Sequence, residues 1–380
     1  MRIALITDGV WPYVLGGMQK HSYYLCKYLA QNKVYVDLVH YNNSFYDITK
    51  LQYFSEEEKK YINSIVVPFP TGNNLPGHYI KQSKQYSKLI FETIKDNIKA
   101  YDFIYTKGFS GWHLIEEKRK GNIKCAKIGV KFHGYEMFQK PPSFTAWLQQ
   151  VFLLRSPVKQ ISTNADVVFS YGGKITNIIK ALGVPDSKIA EFPSGVESSF
   201  ISYHIIPCTE KIKFLYLGRY ERRKGIEELN KAIKQIHNVN AEFHFIGPIP
   251  EEKKIQASNC IYYGEIRDKQ FLHEKIRGCD VLICPSWSEG MPNSILESMA
   301  NGLSAIATDV GSTNILVNNE TGWLINSPNT SDIVKAIETV LASTPQKIDT
   351  KKQNALNHIK IGFVWERLIY DLINKLESLV

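Results

Sequence analysis

Residues 284–312 read CPSWSEGMPNSILESMANGLSAIATDVGS, and this stretch decides the architecture. It begins at the end of an apolar, β-branched run, CDVLICPS (279–286), which reads as a buried parallel strand. The chain breaks at Glu289-Gly290-Met291-Pro292 and restarts as a helix from about Asn293. Asn293 is the expected cap, and Ile295, Leu296, Met299 and Ala300 form the apolar face. A second strand, SAIATD (304–309), follows and ends at Gly311. The unit is strand, loop, helix, strand, as in an open α/β sheet.

In such sheets ligands sit beyond the carboxyl ends of the strands, against helix N-termini. Glu289 falls in the loop after the first strand and Glu297 in the first turn and a half of the helix. The N–H groups of Gly290, Met291 and Asn293 are placed to hold oxygens of an anionic or polyhydroxylated ligand (Pro292 has no N–H). Two carboxylates beside those donors supply the acceptors that sugar hydroxyls need.

The stretch resembles the donor-binding segment of the family 4 retaining glycosyltransferases of GT-B fold, written PSxxEGFGxxxLEAMAxGxPVVATxxGG. Pro285, Ser286, Glu289, Gly290, Glu297, Met299, Ala300, Gly302, Ala307, Thr308 and Gly311 stand in register without a gap. The sequence departs where Pro292 replaces a Gly, Ser312 replaces the second Gly of the closing pair, and Asn314 stands where Glu is frequent. The E-x7-E pair is intact.

Other segments extend the resemblance. KIKFLYLGRYERRKGIEEL (211–229) is a strand ending at Gly218, with Lys224-Gly225 opening a helix. It matches the family's GRxxxxKG, which implies that Arg219 and Lys224 bind a diphosphate, while Arg222 and Arg223 are expected to face solvent. Gly247 ends the next strand, and Gly264 to Ile266 fall where the family contacts the nucleobase through backbone atoms. Near the N-terminus, strand RIALITD (2–8) leads to Gly16-Gly17 and a helix, similar to the family's GGxExxxxxLAxxL with Gln19 in place of the Glu. Glycines there let backbone N–H groups approach a phosphate. AKIGVKFHGYEMF (126–138) is a strand running into His133-Gly134, where the family places a His near the donor sugar and phosphate. Tyr135 and Glu136 are candidate acceptor contacts. IAEFPSGVE (189–197) resembles the family's interdomain hinge.

Four segments are read from their residues alone. Residues 42–62 are polar and irregular, and TGNNLPG (71–77) is a loop. PPSFTAWLQQVFLLRSPVKQ (141–160) reads as a core helix turned inward, with an interfacial helix as the alternative. FVWERLIYDLINKLESL (363–379) is amphipathic, with Phe363, Trp365, Leu368, Ile369, Leu372 and Ile373 apolar.

At 380 residues two domains are the default. With the resemblance, the expected fold is α/β, GT-B: two Rossmann-like domains with parallel sheets facing a central cleft. The resemblance implies an N-terminal acceptor-binding domain over 1–200, a donor-binding domain over 201–362, and a helix near 363–380 that packs back onto the first. No run of about 18 apolar residues is present, as a membrane span would need. MRIALITDGVW reads as a strand rather than a signal peptide. The six cysteines are scattered without metal spacing. A cytoplasmic protein is expected.

Residues 1–200 hold 25 Lys/Arg against 16 Asp/Glu, while residues 201–380 hold 21 of each. Clusters at Lys81, Lys84, Lys88 and at Lys118, Arg119, Lys120 contribute to the excess. A basic half points to an anionic partner, such as an anionic membrane surface touched peripherally, a diphosphate-linked acceptor (a glycan or lipid-linked sugar), an acidic glycan or nucleic acid, with a merely lysine-rich solvated face as the equal alternative. No nucleic-acid recognition motif accompanies it.

The resemblance implies transfer of a hexose-type sugar from a UDP- or GDP-linked donor with retention, without cofactor or metal. Arg219, Lys224, His133 and Glu289 would serve the reaction and Glu297 the ribose. A front-face substitution is expected, since no carboxylate can be assigned to a double displacement. A nucleotide-sugar epimerase of the same fold would lack the E-x7-E spacing. A catalytically inactive binding subunit would have no reason to keep these groups together.

Overall fold

The computed structural model describes residues 1–14, 16–41, 53–71, 77–237 and 240–380. Most of the irregular stretch expected over 42–62, and the loop expected over 71–77, lie outside them. Among the described residues thirteen strands form two sheets, and every pairing between strands is parallel.

The N-terminal sheet has the order β3-β2-β1-β4-β5-β6-β7. Its strands are β1 (Arg2–Ile6), β2 (Tyr35–His40), β3 (Ile62–Val66), β4 (Phe103–Lys107), β5 (Lys127–Lys131), β6 (Val167–Ser170) and β7 (Ile189–Glu191). Helices α1 (Gly17–Gln31), α2 (Glu56–Lys59), α3 (His78–Ile94), α4 (Trp112–Arg119), α5 (Phe144–Gln149), α6 (Arg155–Asn164) and α7 (Lys174–Ala181) accompany it. The central strands are short β-branched or aromatic runs, buried on both faces because helices cover both. Helix α2 is an addition to the expected irregular stretch. Ser55 and Glu58 form a reciprocal capping box that starts it.

The C-terminal sheet has the order β10-β9-β8-β11-β12-β13. It is built from β8 (Ile212–Leu217), β9 (Ala241–Ile246), β10 (Cys260–Gly264), β11 (Val281–Cys284), β12 (Ser304–Thr308) and β13 (Gly322–Ile325). Its helices are α8 (Ile226–Ile233), α9 (Lys269–Arg277), α10 (Asn293–Ala300), α11 (Thr330–Leu341) and α12 (Pro345–Gly362), and α13 (Trp365–Glu377) closes the chain. In both sheets the order reverses beside the first strand, which opens a crevice at the strands' carboxyl ends.

Residues 192–211 join the two sheets, and a lone parallel bridge pairs Val196 with Val364 where the chain crosses back. Helix α13 lies on the N-terminal core beside α1. Its anchor is Trp365, fully buried, stacked on Tyr28 at 5.9 Å and edge-on to His21 at 5.1 Å. The C-terminal unit is tied to α12 by a buried ion pair, Lys352 to Asp280 at 2.7 Å; Lys352 also donates to the Ile206 carbonyl in the connecting segment.

Trp365→Ala empties a closed site and is expected to lower unfolding free energy by about 3–5 kcal/mol in urea titration. A loss below about 1 kcal/mol would mean that α13 does not anchor the N-terminal core.

Candidate active site between the two sheets

The loop 285–292 begins where β11 ends. Glu289 is buried there, with Oε1 2.6 Å from Lys224 Nζ and 2.7 Å from Ser286 Oγ. Arg223 completes the cage, 3.4 Å from Oε2. Burial alone would raise this carboxyl's pKa, but Lys224 and Arg223 together with the Ser286 hydroxyl outweigh it and hold the group below its ordinary value. Lys224 reaches the carboxylate because Gly225 turns the chain at φ 68°. A Cβ on Gly225 would lie 1.8 Å from the Pro285 carbonyl oxygen, so only glycine lets this turn close on the strand end.

This arrangement corrects one expectation and changes another. Arg223 does not face solvent: it turns inward and also donates to the Ser288 carbonyl at 3.1 Å. Arg222 pairs with Glu228 on α8. Arg219 stands apart from Lys224's cluster, its side chain 64% exposed and paired with Glu221 at 2.9 Å. Gly218, Gly247 and Gly264 end three adjacent strands and are laced together, Gly218 N to Ile246 O at 2.9 Å and Gly247 N to Gly264 O at 2.8 Å.

Asn293 is not the cap of α10 but its first helical residue, after Pro292. Its side chain is therefore not spent on capping. It faces Gly17 across the cleft: a Cβ on Gly17 would lie 3.7 Å from Asn293 Nδ2 and 3.9 Å from His133 Nε2. Gly16 and Gly17 start α1, so the N-termini of α1 and α10 confront each other and both offer N–H groups without intrahelical acceptors.

The two units touch at the end of this gap. A Cβ on Gly290 would lie 1.6 Å from the His133 carbonyl oxygen, so the approach tolerates only glycine. Gln139 clamps the same place. Its Nε2 donates to the Gly134 carbonyl at 2.5 Å and the Glu289 carbonyl at 2.6 Å, and its Oε1 accepts from Glu289 N–H at 3.3 Å. Met291 is buried, its sulfur accepting from Ser194 N–H in the connecting segment. Glu297 forms an ion pair across the cleft with Lys20 of α1.

Of the two acceptor candidates, Tyr135 is a core residue, fully buried with its hydroxyl 3.1 Å from Ser162 Oγ. It offers nothing to a ligand, because the tight turn after His133 folds its ring under β5. Glu136 is partly exposed and lies within the field of Arg223.

Behind His133 the N-terminal unit holds cations that nothing in the sequence motifs announces. Lys107 and Lys131 end β4 and β5, and both are buried. Lys107 Nζ sits 2.8 Å from His21 Nδ1; Lys131 donates to the Phe192 carbonyl and stands 3.9 Å from the Tyr171 ring centre. Burial holds both lysines well below their ordinary pKa. Burial first, then Lys107 and Lys131, likewise lowers that of His133, which is therefore neutral. Tyr171 Oη is 2.7 Å from its Nδ1, and the ring also bonds the backbone of Gly17. Asp8 is pushed up to about 6 by burial, against the pull of Lys107.

A cavity of about 1810 Å³ runs along the cleft from Trp11 past Lys20 and Glu197 to Ile266, Asn293 and Glu297. Its walls stop short of Glu289, Lys224 and His133, where the two units meet. Among the described residues no group of three His, Cys, Asp or Glu is placed to hold a metal ion. No described helix is long and apolar enough to cross a membrane.

The buried lysines make a pH-dependent prediction. Lys131 has a folded pKa below its unfolded value, so the unfolded chain takes up the proton first as pH falls from about 10.5, and stability is lost on the way down. Lys131→Met should therefore gain most over the parent near neutral pH and lose that advantage as pH approaches 10, read as the difference in Tm. A difference independent of pH would contradict the burial of a titrating ammonium.

Residues 211–343 match the family described as Glycosyl transferases group 1. The putative teichuronic acid biosynthesis glycosyltransferase TuaC of Bacillus subtilis is 26% identical over 190 residues, 47% of this chain and 48% of that protein. The match thus spans about half of TuaC's length. Protein CapJ of Staphylococcus aureus is 29% identical over 288 residues, 71% of this chain and 70% of that protein. The structure of a sucrose-phosphate synthase from Thermosynechococcus elongatus superposes with a TM-score of 0.79 at 18% identity, covering 100% of this chain and 98% of that one. The paired parallel sheets and these matches agree: residues 211–343 resemble the group 1 glycosyl transferases, and the chain has the two-domain GT-B fold.

Proposed function

We propose that the chain moves a hexose-type sugar from a UDP- or GDP-linked donor to a glycan or lipid-linked acceptor, with retention at the anomeric carbon, in the assembly of a surface polysaccharide. One observation carries the reading. The N-termini of α1 and α10 come together at Gly17 and Asn293, and the loop and helix beside them carry the caged carboxylate of Glu289 and the Glu297 carboxylate. Opened around a donor, N–H groups on both walls suit a diphosphate. The two carboxylates suit the hydroxyls of a ribose and of a sugar. TuaC, by its name, belongs to teichuronic acid biosynthesis, which supports the polysaccharide context.

In this reading the base lies along Gly264 to Ile266, beside the cavity wall formed by Tyr263 and Ile266. The ribose takes Glu297, displacing Lys20 from it. The diphosphate lies between Gly16-Gly17 and the cations Arg219 and Lys224, with Arg223 behind them. The sugar reaches Glu289 and His133, which requires Gly290 to draw back from the His133 carbonyl. As the bond from the anomeric carbon to the phosphate oxygen breaks, charge builds on the diphosphate. Lys224 and the two helix N-termini stabilise it more in the transition state than in the bound donor. The acceptor oxygen bonds to the anomeric carbon on the face the diphosphate leaves, and its proton passes to the departing phosphate. His133, neutral and oriented by Tyr171, faces the sugar without adding charge. Cationic side chains do the work that a metal does elsewhere, so the reading needs none. A nucleotide sugar and a lipid-linked acceptor meet at the cytoplasmic face of a membrane, and that is the location assigned.

The test is nucleoside diphosphate release from each donor in the presence of lipid-linked acceptor, with the product anomer read by NMR. One donor should release its diphosphate only when acceptor is present, and Lys224→Met should lower kcat/KM by about 10²–10³-fold. Release without dependence on acceptor, or a variant as active as the parent, would overturn the reading.

A further inference from the structure

Residues 144–164 run without a break through α5, a π-helical stretch at 150–154, and α6. The first half of this run is turned the wrong way for a core helix. Phe144, Trp147, Leu148, Val151 and Phe152 recur at the spacing of one helical face. Yet Phe144 is 70% and Phe152 73% exposed, while the polar Gln150 is buried. Helix α5 buries none of its residues, and the Phe144 and Trp147 rings stack on each other at 5.5 Å on its outer side. The expectation of an inward-turned helix is corrected here: the neighbouring sheet is already covered by α6, whose own inner face is Pro157, Val158 and Ile161. A single exposed aromatic needs no explanation, but three exposed aromatics, Phe144, Trp147 and Phe152, with Leu148 and Val151 only half-buried between them, do.

The surroundings say what covers them. Beside Phe152 a groove of about 950 Å³ separates the π-helical stretch from α3 and α4. Ile80, Trp112 and Leu153 line it, with Lys81, Lys88 and Lys120 at its rim. Its acid, Glu116, is already engaged by Lys84 at 3.2 Å and by the Trp112 indole N–H at 2.9 Å. Lys120 is paired with Glu117 at 3.0 Å, whereas among the described residues Lys81 and Lys88 have no carboxylate partner, so the aromatic face stands beside their positive charge, on the half of the chain that holds the whole excess of 25 Lys/Arg over 16 Asp/Glu.

We propose that this face docks on an anionic lipid bilayer. Phe144, Trp147 and Phe152 enter the boundary between headgroups and acyl chains, and Lys81 and Lys88 meet the lipid phosphates. A second copy of the chain would fit worse, because a twofold contact through this face would set lysines against lysines. The position matters for the chemistry. Gln139, which holds the Glu289 loop, is five residues before Phe144, at most about 18 Å of extended chain. Docking would set the mouth of the cleft at the membrane surface. The inference deepens the reading of a lipid-linked acceptor, but its test uses no sugar transfer and stands or falls separately.

The test is flotation of the full chain with vesicles of phosphatidylcholine alone and of phosphatidylcholine mixed with phosphatidylglycerol, at low and high salt. The chain should float with the anionic vesicles at low salt and stay behind with the neutral ones. Phe144→Ser with Phe152→Ser, and separately Lys81→Glu with Lys88→Glu, should each lower partitioning at least about tenfold. Both pairs are exposed, so Tm should stay at the parent value; if the aromatic pair fails to fold, the lysine pair decides. No binding to anionic vesicles, or variants that float like the parent, would overturn the proposal. So would light scattering that shows a dimer which the aromatic pair dissolves.

Discussion

The carboxylate of Glu289 is taken out of water and returned its hydrogen bonds by Lys224, Arg223 and Ser286. The rest of the site depends on that exchange. A buried carboxylate with one partner removed is costly, commonly 3–5 kcal/mol, so the groups around it have little freedom to drift. The turn at Gly225, the loop 285–292 and the start of α10 are thereby fixed relative to one another. Gln139 carries the constraint into the N-terminal unit by bonding the backbone of Glu289 at both its N–H and its carbonyl.

The other wall of the cleft works by a different balance. Lys107 and Lys131, with His21 and His133 around them, form a buried basic cluster whose nearby acid is Asp8. Burial first, and then the two lysines, keep His133 neutral. The ammonium of Lys20 already lies on Glu297. A ligand that brings hydroxyls to Glu297 and negative charge to the gap would satisfy both walls together. Lys20 and Glu297 pair one wall with the other.

The fold was legible because its signals are local and repeated. Each β-branched run ending in glycine or a charged residue became a parallel strand, and the apolar face of 363–379 became the helix on the N-terminal core. The E-x7-E pair and Lys224 were legible as spacings. What spacing could not show is which way a side chain turns. Arg223 reads like its neighbours Arg222 and Arg219, and only the path of the turn sends it inward. Tyr135 follows His133 directly, yet a single left-handed residue, φ 50°, puts it in the core. The helix at 144–152 has the period of a core element, and periodicity carries no sign for inside or outside. Ser55 and Glu58 formed a capping box in plain view, obscured by the polar composition around them. The buried lysines were hidden for a better reason: a lysine ending a strand is normally solvated, and only distant packing buries these two, α1 over Lys107 and the Tyr171 and Phe192 rings over Lys131.

The account rests on a nucleoside diphosphate lying between two opposed helix N-termini, with Glu297 on its ribose. Titration calorimetry of UDP, GDP and ADP against the chain and its Glu297→Ala variant, with chelator present, addresses that directly. One of the three should bind the parent, and the variant should bind it about 10–100-fold more weakly, as loss of a carboxylate acceptor for hydroxyls requires. Equal affinity in parent and variant, or no binding of any nucleotide, would contradict the placement of the donor in this cleft.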